Sequence, residues 1–255
     1  MPPPSGFARA ICLERDKVAN FDAYPFAIPA ICSLDRLPLN PAVTFFIGEN
    51  GTGKSTLLEA LAVRWGFNAE GGSRNFRFST HASHSALHHF LSIERGSRYP
   101  SDGYFLRAES FYNVATELEK LDQDYGLIPK IGPAYGGVHL HEQSHGQSFF
   151  ALLKNRLHGD GFYLFDEPEA ALSPNRQMSA ITLIDDLVRR GSQLVIATHS
   201  PILLAYPNAT IYEFGEAGIR TIRYTETEHF QVTRDFLNRH EKMLSILMGD
   251  LPNLE

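Results

Sequence analysis

The sequence predicts an α/β fold built on a mainly parallel sheet, and three apolar strands with their intervening helical patterns carry that prediction. Val43–Gly48, Gly161–Asp166 and 193–198 are short apolar runs of the kind that strands buried on both faces require. Lys54–Trp65 follows the first as a helical pattern, and 174–190, with proline in its first turn, lies between the second and third. Strands alternating with helices in this way favour parallel neighbours.

The remaining segments fill in around that frame. Ala8–Leu13 and 18–21 read as short strands, and Pro25, Pro29, Pro38 and Pro41 break up the stretch before the next strand. Residues 66–101, rich in Gly, Ser, Arg and His, suit an inserted loop and helix better than central strands. Residues 103–107 read as a strand, 111–121 and 147–157 as helices, and 126–145 as a loop over an active face. Two more strands are expected at 211–214 and 219–224. The tail, 230–248, places Val232, Phe236, Leu237, Leu244 and Leu247 at helical spacing, as for a packing face.

Composition narrows the class. At 255 residues, 43% hydrophobic and 20% charged, the chain suits one domain with a sizeable core. No apolar run reaches the roughly 18–20 residues needed to span a bilayer, and the first residues do not read as a signal peptide. The reading is therefore cytoplasmic, without membrane insertion. Cys12 and Cys32 form no metal spacing and no disulfide framework, and are expected as buried thiols. A net charge of −6 gives no bulk attraction to nucleic acid, although the cations are mostly arginine, which suits phosphate contacts.

The join between the first strand and first helix is the most informative segment. Gly48-Glu49-Asn50-Gly51-Thr52-Gly53-Lys54-Ser55-Thr56 has the spacing G-x-x-x-x-G-K-S. Glycines there let successive backbone N–H groups converge on phosphate oxygens, and the helix start adds unpaired donors. Lys54 can reach the β- and γ-phosphates, and the Ser55 hydroxyl can ligate Mg²⁺. This combination predicts binding of a nucleoside triphosphate. ATP is favoured over GTP because no N-K-x-D guanine-reading motif follows.

Downstream, an apolar strand delivers Asp166 and Glu167 side by side at its carboxyl end, where open α/β sheets hold ligands. Successive side chains on a strand diverge, so Asp166 can support the metal while Glu167 polarises a water. Ser144-His145-Gly146-Gln147 has the form S-x-G-Q ahead of an expected helix, about twenty residues before Asp166. Ala171-Leu172-Ser173-Pro174 follows the acids, and His199 ends the next apolar strand about thirty-three residues beyond Asp166. His81, His84, His88 and His89, and separately His139, His141 and His145, are most simply polar surface, with no acidic or cysteine partner completing a metal set.

In order and spacing these features resemble ABC-type ATPases. The wording Asp166-Glu167-Pro168-Glu169-Ala170-Ala171-Leu172-Ser173-Pro174, with Ala197-Thr198-His199-Ser200-Pro201, is similar to the soluble SMC-like, RecF-like and OLD-like members, especially the small bacterial ATPases called an AAA family. The resemblance covers about 43–224. It implies a P-loop NTPase fold of the ABC-ATPase head type, with a mainly parallel sheet, an N-terminal antiparallel β layer and a helical lobe over about 71–157. It also implies ATP and Mg²⁺ as ligands. Lys54 would hold phosphate, Ser55 and Asp166 the metal, Glu167 would be the base, and His199 would sense the γ-phosphate. Ser144, His145, Gly146 and Gln147 would act in trans across an ATP-dependent homodimer, with Ser173 in its dimer loop. The output would be a DNA-associated, defence or regulatory process involving DNA or a partner effector protein. The alternatives are a transporter's ATP-binding subunit, or a dimerisation switch with little turnover.

The chain also departs from that pattern. His145 replaces the usual glycine, and no glutamine ends the strand at 103–107. Glu109 is the nearest candidate for that metal-facing position, Arg107 the weaker one. No adenine-stacking aromatic is assignable, Tyr24 and Phe26 being guesses, and the roughly ninety residues between loop and signature hold no coiled-coil heptads.

Overall fold

The computed structural model of the chain describes residues 6–73, 85–107 and 154–249. Its strands are β1 (Ala8–Leu13), β2 (Arg36–Pro38), β3 (Val43–Gly48), β4 (Gly72–Ser73), β5 (Leu91–Arg95), β6 (Asp102–Arg107), β7 (Gly161–Asp166), β8 (Gln193–Ala197), β9 (Thr210–Gly215) and β10 (Gly218–Ile222). The helices are α1 (Pro29–Cys32), α2 (Lys54–Trp65), α3 (Pro174–Arg189), α4 (Glu228–Asn238) and α5 (His240–Leu247).

Among the described residues two sheets form. The larger runs β10-β9-β3-β8-β7-β6-β4, parallel from β9 through β6 with an antiparallel strand at each edge. The smaller is an antiparallel β2-β1-β5 layer. Every residue of β3, β7 and β8 is buried. Their side chains alternate between two cores. Phe46, Phe162, Leu164, Val195 and Ala197 pack toward α2 and the small sheet. Phe45, Ile47, Tyr163, Phe165 and Ile196 pack with the buried side of α3. Two covered faces explain why these strands read as unbroken apolar runs.

A buried amide helps fasten the two sheets. Gln193 Oε1 accepts from the Ala8 N–H at 2.9 Å, while its Nε2 donates to the Ala8 carbonyl at 2.7 Å and the Asn40 carbonyl at 2.9 Å. A polar side chain this deep is tolerable because its hydrogen bonds are made.

The expected elements need three corrections. Residues 18–21 form no strand. Leu91–Arg95, expected as loop or helix, is a strand, because β1 offers its free edge and pairs with it antiparallel from Leu13↔Leu91 to Ala8↔Arg95. The tail is helical but breaks at Arg239, and neither α4 nor α5 buries a residue. Val232, Leu237 and Leu247 are exposed, since the sheet faces they could cover are already occupied. Both cysteines are half-buried rather than buried. Within the expected lobe, β5 and β6 belong to the sheets. The expected helix 111–121, residues 147–153 of the expected helix 147–157, the loop 126–145, and His81, His84, His139 and His141 lie outside the described residues.

Candidate functional site

The parallel order β3-β8-β7 brings three strand ends to one edge of the sheet. Phe46 pairs with Ala197, and Ala197 with Asp166, so the strands end in step. The segments leaving them, from Gly48, Thr198 and Glu167, therefore meet at one place, as ligand sites of open α/β sheets do.

The loop from β3 to α2 needs glycine at both ends. Gly48 has φ +137°, and a Cβ there would sit 2.2 Å from the Phe214 carbonyl oxygen. Gly53 has φ +97° and would press its Cβ to 3.0 Å from Ile28 Cγ2. Other residue types are strained or blocked at these positions. Glu49, Asn50 and Gly51 are exposed at the loop's crown, and the Thr52 hydroxyl donates to the Glu49 carbonyl at 2.8 Å.

Lys54 is buried, and its Nζ donates to the Gly48 and Glu49 carbonyls at 2.8 and 2.7 Å. Burial pulls its pKa below the ordinary lysine value, opposed by the carboxylates of Glu167, Asp166 and Glu169. Ser55 Oγ donates to Asp166 Oδ1 at 2.8 Å, across 111 residues of sequence. These are hard oxygen donors, few in number and facing a phosphate loop, which is the set Mg²⁺ takes alongside substrate phosphates. Thr56 follows, half-buried in the first turn of α2.

Arg107 ends β6 in register with Asp166. Its Nη1 reaches Glu59 Oε2 at 2.7 Å, and its Nε lies 3.7 Å from Asp166 Oδ2. A guanidinium only donates, so Arg107 steadies the Asp166 carboxylate and is no metal ligand. Glu109 lies outside the described residues, as do Ser144, His145, Gly146 and Gln147. Phe26 is not an adenine platform: it is buried edge-on between Phe21 and Phe90. Tyr24, by contrast, is 69% exposed.

Glu167 carries the local strain of the site. Its backbone is left-handed, φ 50° and ψ 51°, and its N–H is pinned to the Ala197 carbonyl at 2.9 Å. For a residue with a Cβ such a conformation costs about 1–3 kcal/mol, and it recurs where function requires it. Glu167 Oε1 lies 3.6 Å from His199 Nε2. Both residues border a cleft of about 890 Å³, together with Gly48, Thr52, Phe214 and His229. Ser173, at the start of α3, is exposed and makes no side-chain cap bond.

Comparison with known proteins fits this geometry. Residues 79–205, just under half of the chain, match the family described as "AAA domain, putative AbiEii toxin, Type IV TA system". Galactose/methyl galactoside import ATP-binding protein MglA of Salmonella typhimurium is 24% identical over 197 residues, covering 68% of this chain and 37% of that protein. ABC transporter G family member STR2 of Medicago truncatula is 25% identical over 172 residues, covering 62% and 24%. Over about two thirds of its length the chain is similar to ATP-binding proteins of ABC type. It spans well under half the length of these two curated relatives. Among solved structures, the SMC head domain from Thermotoga maritima aligns over 85% of this chain and 98% of that one, at 12% identity and a TM-score of 0.44.

Two residues of this site escaped the motifs. Glu169 Oε1 accepts from the His199 N–H at 2.5 Å, and its Oε2 from Thr198 Oγ1 at 2.7 Å. It thus fixes the backbone that presents His199. Burial raises the Glu169 pKa against those two hydrogen bonds, which lower it. His229, from α4, places its Nε2 3.1 Å from His199 Nδ1. Glu169 stood inside a recognised run and its position relative to the strand end was a usable signal. His229 sits in a tail with no motif at all.

Proposed function

We propose that the chain is an ABC-type P-loop ATPase, which binds Mg-ATP at Gly48–Thr56 and hydrolyses it in a homodimer that closes on two nucleotides. The observation that carries the reading is the Ser55–Asp166 bond at 2.8 Å, with the buried Lys54 on one side and the Glu167–His199 pair on the other. Lys54 and the loop N–H groups hold the phosphates in place. Ser55 and Asp166 would hold the ion, which supplies charge neutralisation at the phosphates. Glu167 accepts the proton of the attacking water, and His199 donates toward the γ-phosphate from the same cleft.

Dimerisation supplies the part of the site that one chain does not. On this reading Ser144 and Gly146 of a second copy approach the γ-phosphate, and the exposed Ser173 contacts the opposite subunit. The cycle serves a soluble process, with DNA or a partner effector protein as its target. The described residues include no helix long and apolar enough to cross a membrane. A second reading, the ATP-binding part of a transporter, is favoured by the import and transporter names of the relatives. Recovery of a membrane protein with the affinity-purified chain would select it.

Glu167→Gln keeps the side chain's size but cannot take a proton. Turnover is expected to fall by about 10²–10⁴, with ATP retained and a dimer accumulating in size-exclusion chromatography. Ser144→Arg should bind ATP yet stay monomeric and inactive. Normal turnover by Glu167→Gln removes the base assignment, and normal turnover by monomeric Ser144→Arg removes the sandwich.

A further inference from the structure

We propose that His229 is a positioning residue for His199, holding it in the tautomer that carries its proton on Nε2. The proposal deepens the reading above, in which His199 faces the γ-phosphate, and concerns how that histidine acquires its donor.

His199 Nδ1 and His229 Nε2 are 3.1 Å apart with ring planes at 45°, and one of the two nitrogens donates to the other. Burial lowers both pKa values, with Lys54 lowering each further, so the neutral pair is the relevant state. Glu167 opposes this at His199, and Glu228 and Glu169 oppose it at His229. Two arrangements of protons are then available.

In the first, His199 donates from Nδ1. Its Nε2 would then present a bare lone pair to Glu167 Oε1 at 3.6 Å, a repulsive meeting of acceptors. His229 would carry its proton on Nδ1, a buried atom with no hydrogen-bond partner. A buried orphan donor costs about 1–3 kcal/mol. In the second, His229 donates from Nε2 to His199 Nδ1. His199 then carries its proton on Nε2, pointing at the Glu167 carboxylate, and His229 buries only an unprotonated nitrogen. The second arrangement wins on both counts.

It also yields the functional form. A γ-phosphate accepts hydrogen bonds, so only the Nε2–H tautomer of His199 can donate to it from the cleft. His199 Nε2 is buried with no hydrogen-bond partner, a donor held ready toward Glu167 and the cleft. His229 is able to impose this because Thr227 caps α4 through its hydroxyl, accepting from the Phe230 N–H at 3.2 Å, and Thr227 is itself fully buried. The first turn of α4 is thereby anchored beside the site while the rest of the helix is solvated.

The test combines ¹⁵N NMR of histidine-labelled protein with steady-state kinetics of His229→Leu and His229→Gln. The expected wild-type spectrum shows His199 protonated on Nε2, and His229→Leu loses that preference. A lost hydrogen bond of ordinary strength corresponds to about a three- to tenfold fall in kcat, with KM for ATP unchanged. His229→Gln retains an N–H donor of similar reach and is expected to restore most of kcat. A wild-type His199 protonated on Nδ1, or a His229→Leu protein with unchanged tautomer and kcat, overturns the proposal. The wild-type spectrum needs no variant to fold and no turnover, so its result stands apart from that of Glu167→Gln.

Discussion

The two halves of the site are built in opposite ways. The phosphate-loop half is continuous in sequence and made of backbone: eight residues from Gly48 to Ser55, two glycines at positive φ where a Cβ would collide, and a lysine held by two carbonyls of its own loop. The Glu167–His199 half is discontinuous and made of side chains. It draws Glu167 and Glu169 from beyond β7, His199 from beyond β8 and His229 from α4. On the proposed reading the first half is a mould for an anion and the second a set of relays. The mould should fail completely when its one charged group is removed, whereas the relays should fail in graded steps.

Lys54→Ala is the sharpest test of the mould. Nucleotide binding should fall below detection by fluorescence titration, while the urea midpoint stays close to wild type. Removing a partly desolvated ammonium relieves about as much cost as the two carbonyl bonds contribute. Unchanged affinity would show that the loop binds through backbone donors alone. A collapse of stability would show that Lys54 is part of the structural core.

Glu169→Ala tests whether the relays are graded. It leaves the His199 N–H and the Thr198 hydroxyl without their acceptor, which costs about 1–3 kcal/mol of stability. The displaced His199 should reduce kcat without weakening ATP binding, because the loop half is untouched. Loss of ATP affinity equal to the loss of kcat would mean the two halves are one cooperative unit, and the comparison would break.

The same contrast explains what could be read from the sequence. β3, β7, β8 and the loop were legible because their information is local: apolar runs of strand length, and a glycine spacing with one chemical purpose. The placement of Asp166 and Glu167 at the carboxyl end of β7 was legible because an apolar strand run leads straight into them. β5 was not, since Leu91–Arg95 is a strand only because β1 offers a pairing edge, a fact about residues some eighty positions away. The stacking aromatic was not assignable between Tyr24 and Phe26, because burial of Phe26 between Phe21 and Phe90 is a tertiary property. His229 was invisible for the same reason: nothing around it in sequence says that α4 starts beside β8.

The smallest expected effect is in the pH dependence of stability, and it isolates the histidine pair. Burial holds His199 and His229 below the ordinary histidine value of 6.5. A depressed pKa means the folded state favours the neutral form, so the stabilisation is fully present above 6.5 and is lost as pH falls through the folded values. Glu169 works in the opposite direction. Its pKa is raised, so acidification favours the fold there, and the wild-type curve alone would blur the two contributions. The difference between wild type and His229→Gln removes that overlap, because Glu169 is present in both and glutamine does not titrate. Wild type should lose urea stability relative to His229→Gln as pH drops from about 7 to about 5, since two coupled imidazoles must charge in one and a single imidazole in the other. The check is the urea midpoint of each protein across that range. A difference independent of pH would mean His229 is free to charge in the folded state, and that α4 does not hold it against His199.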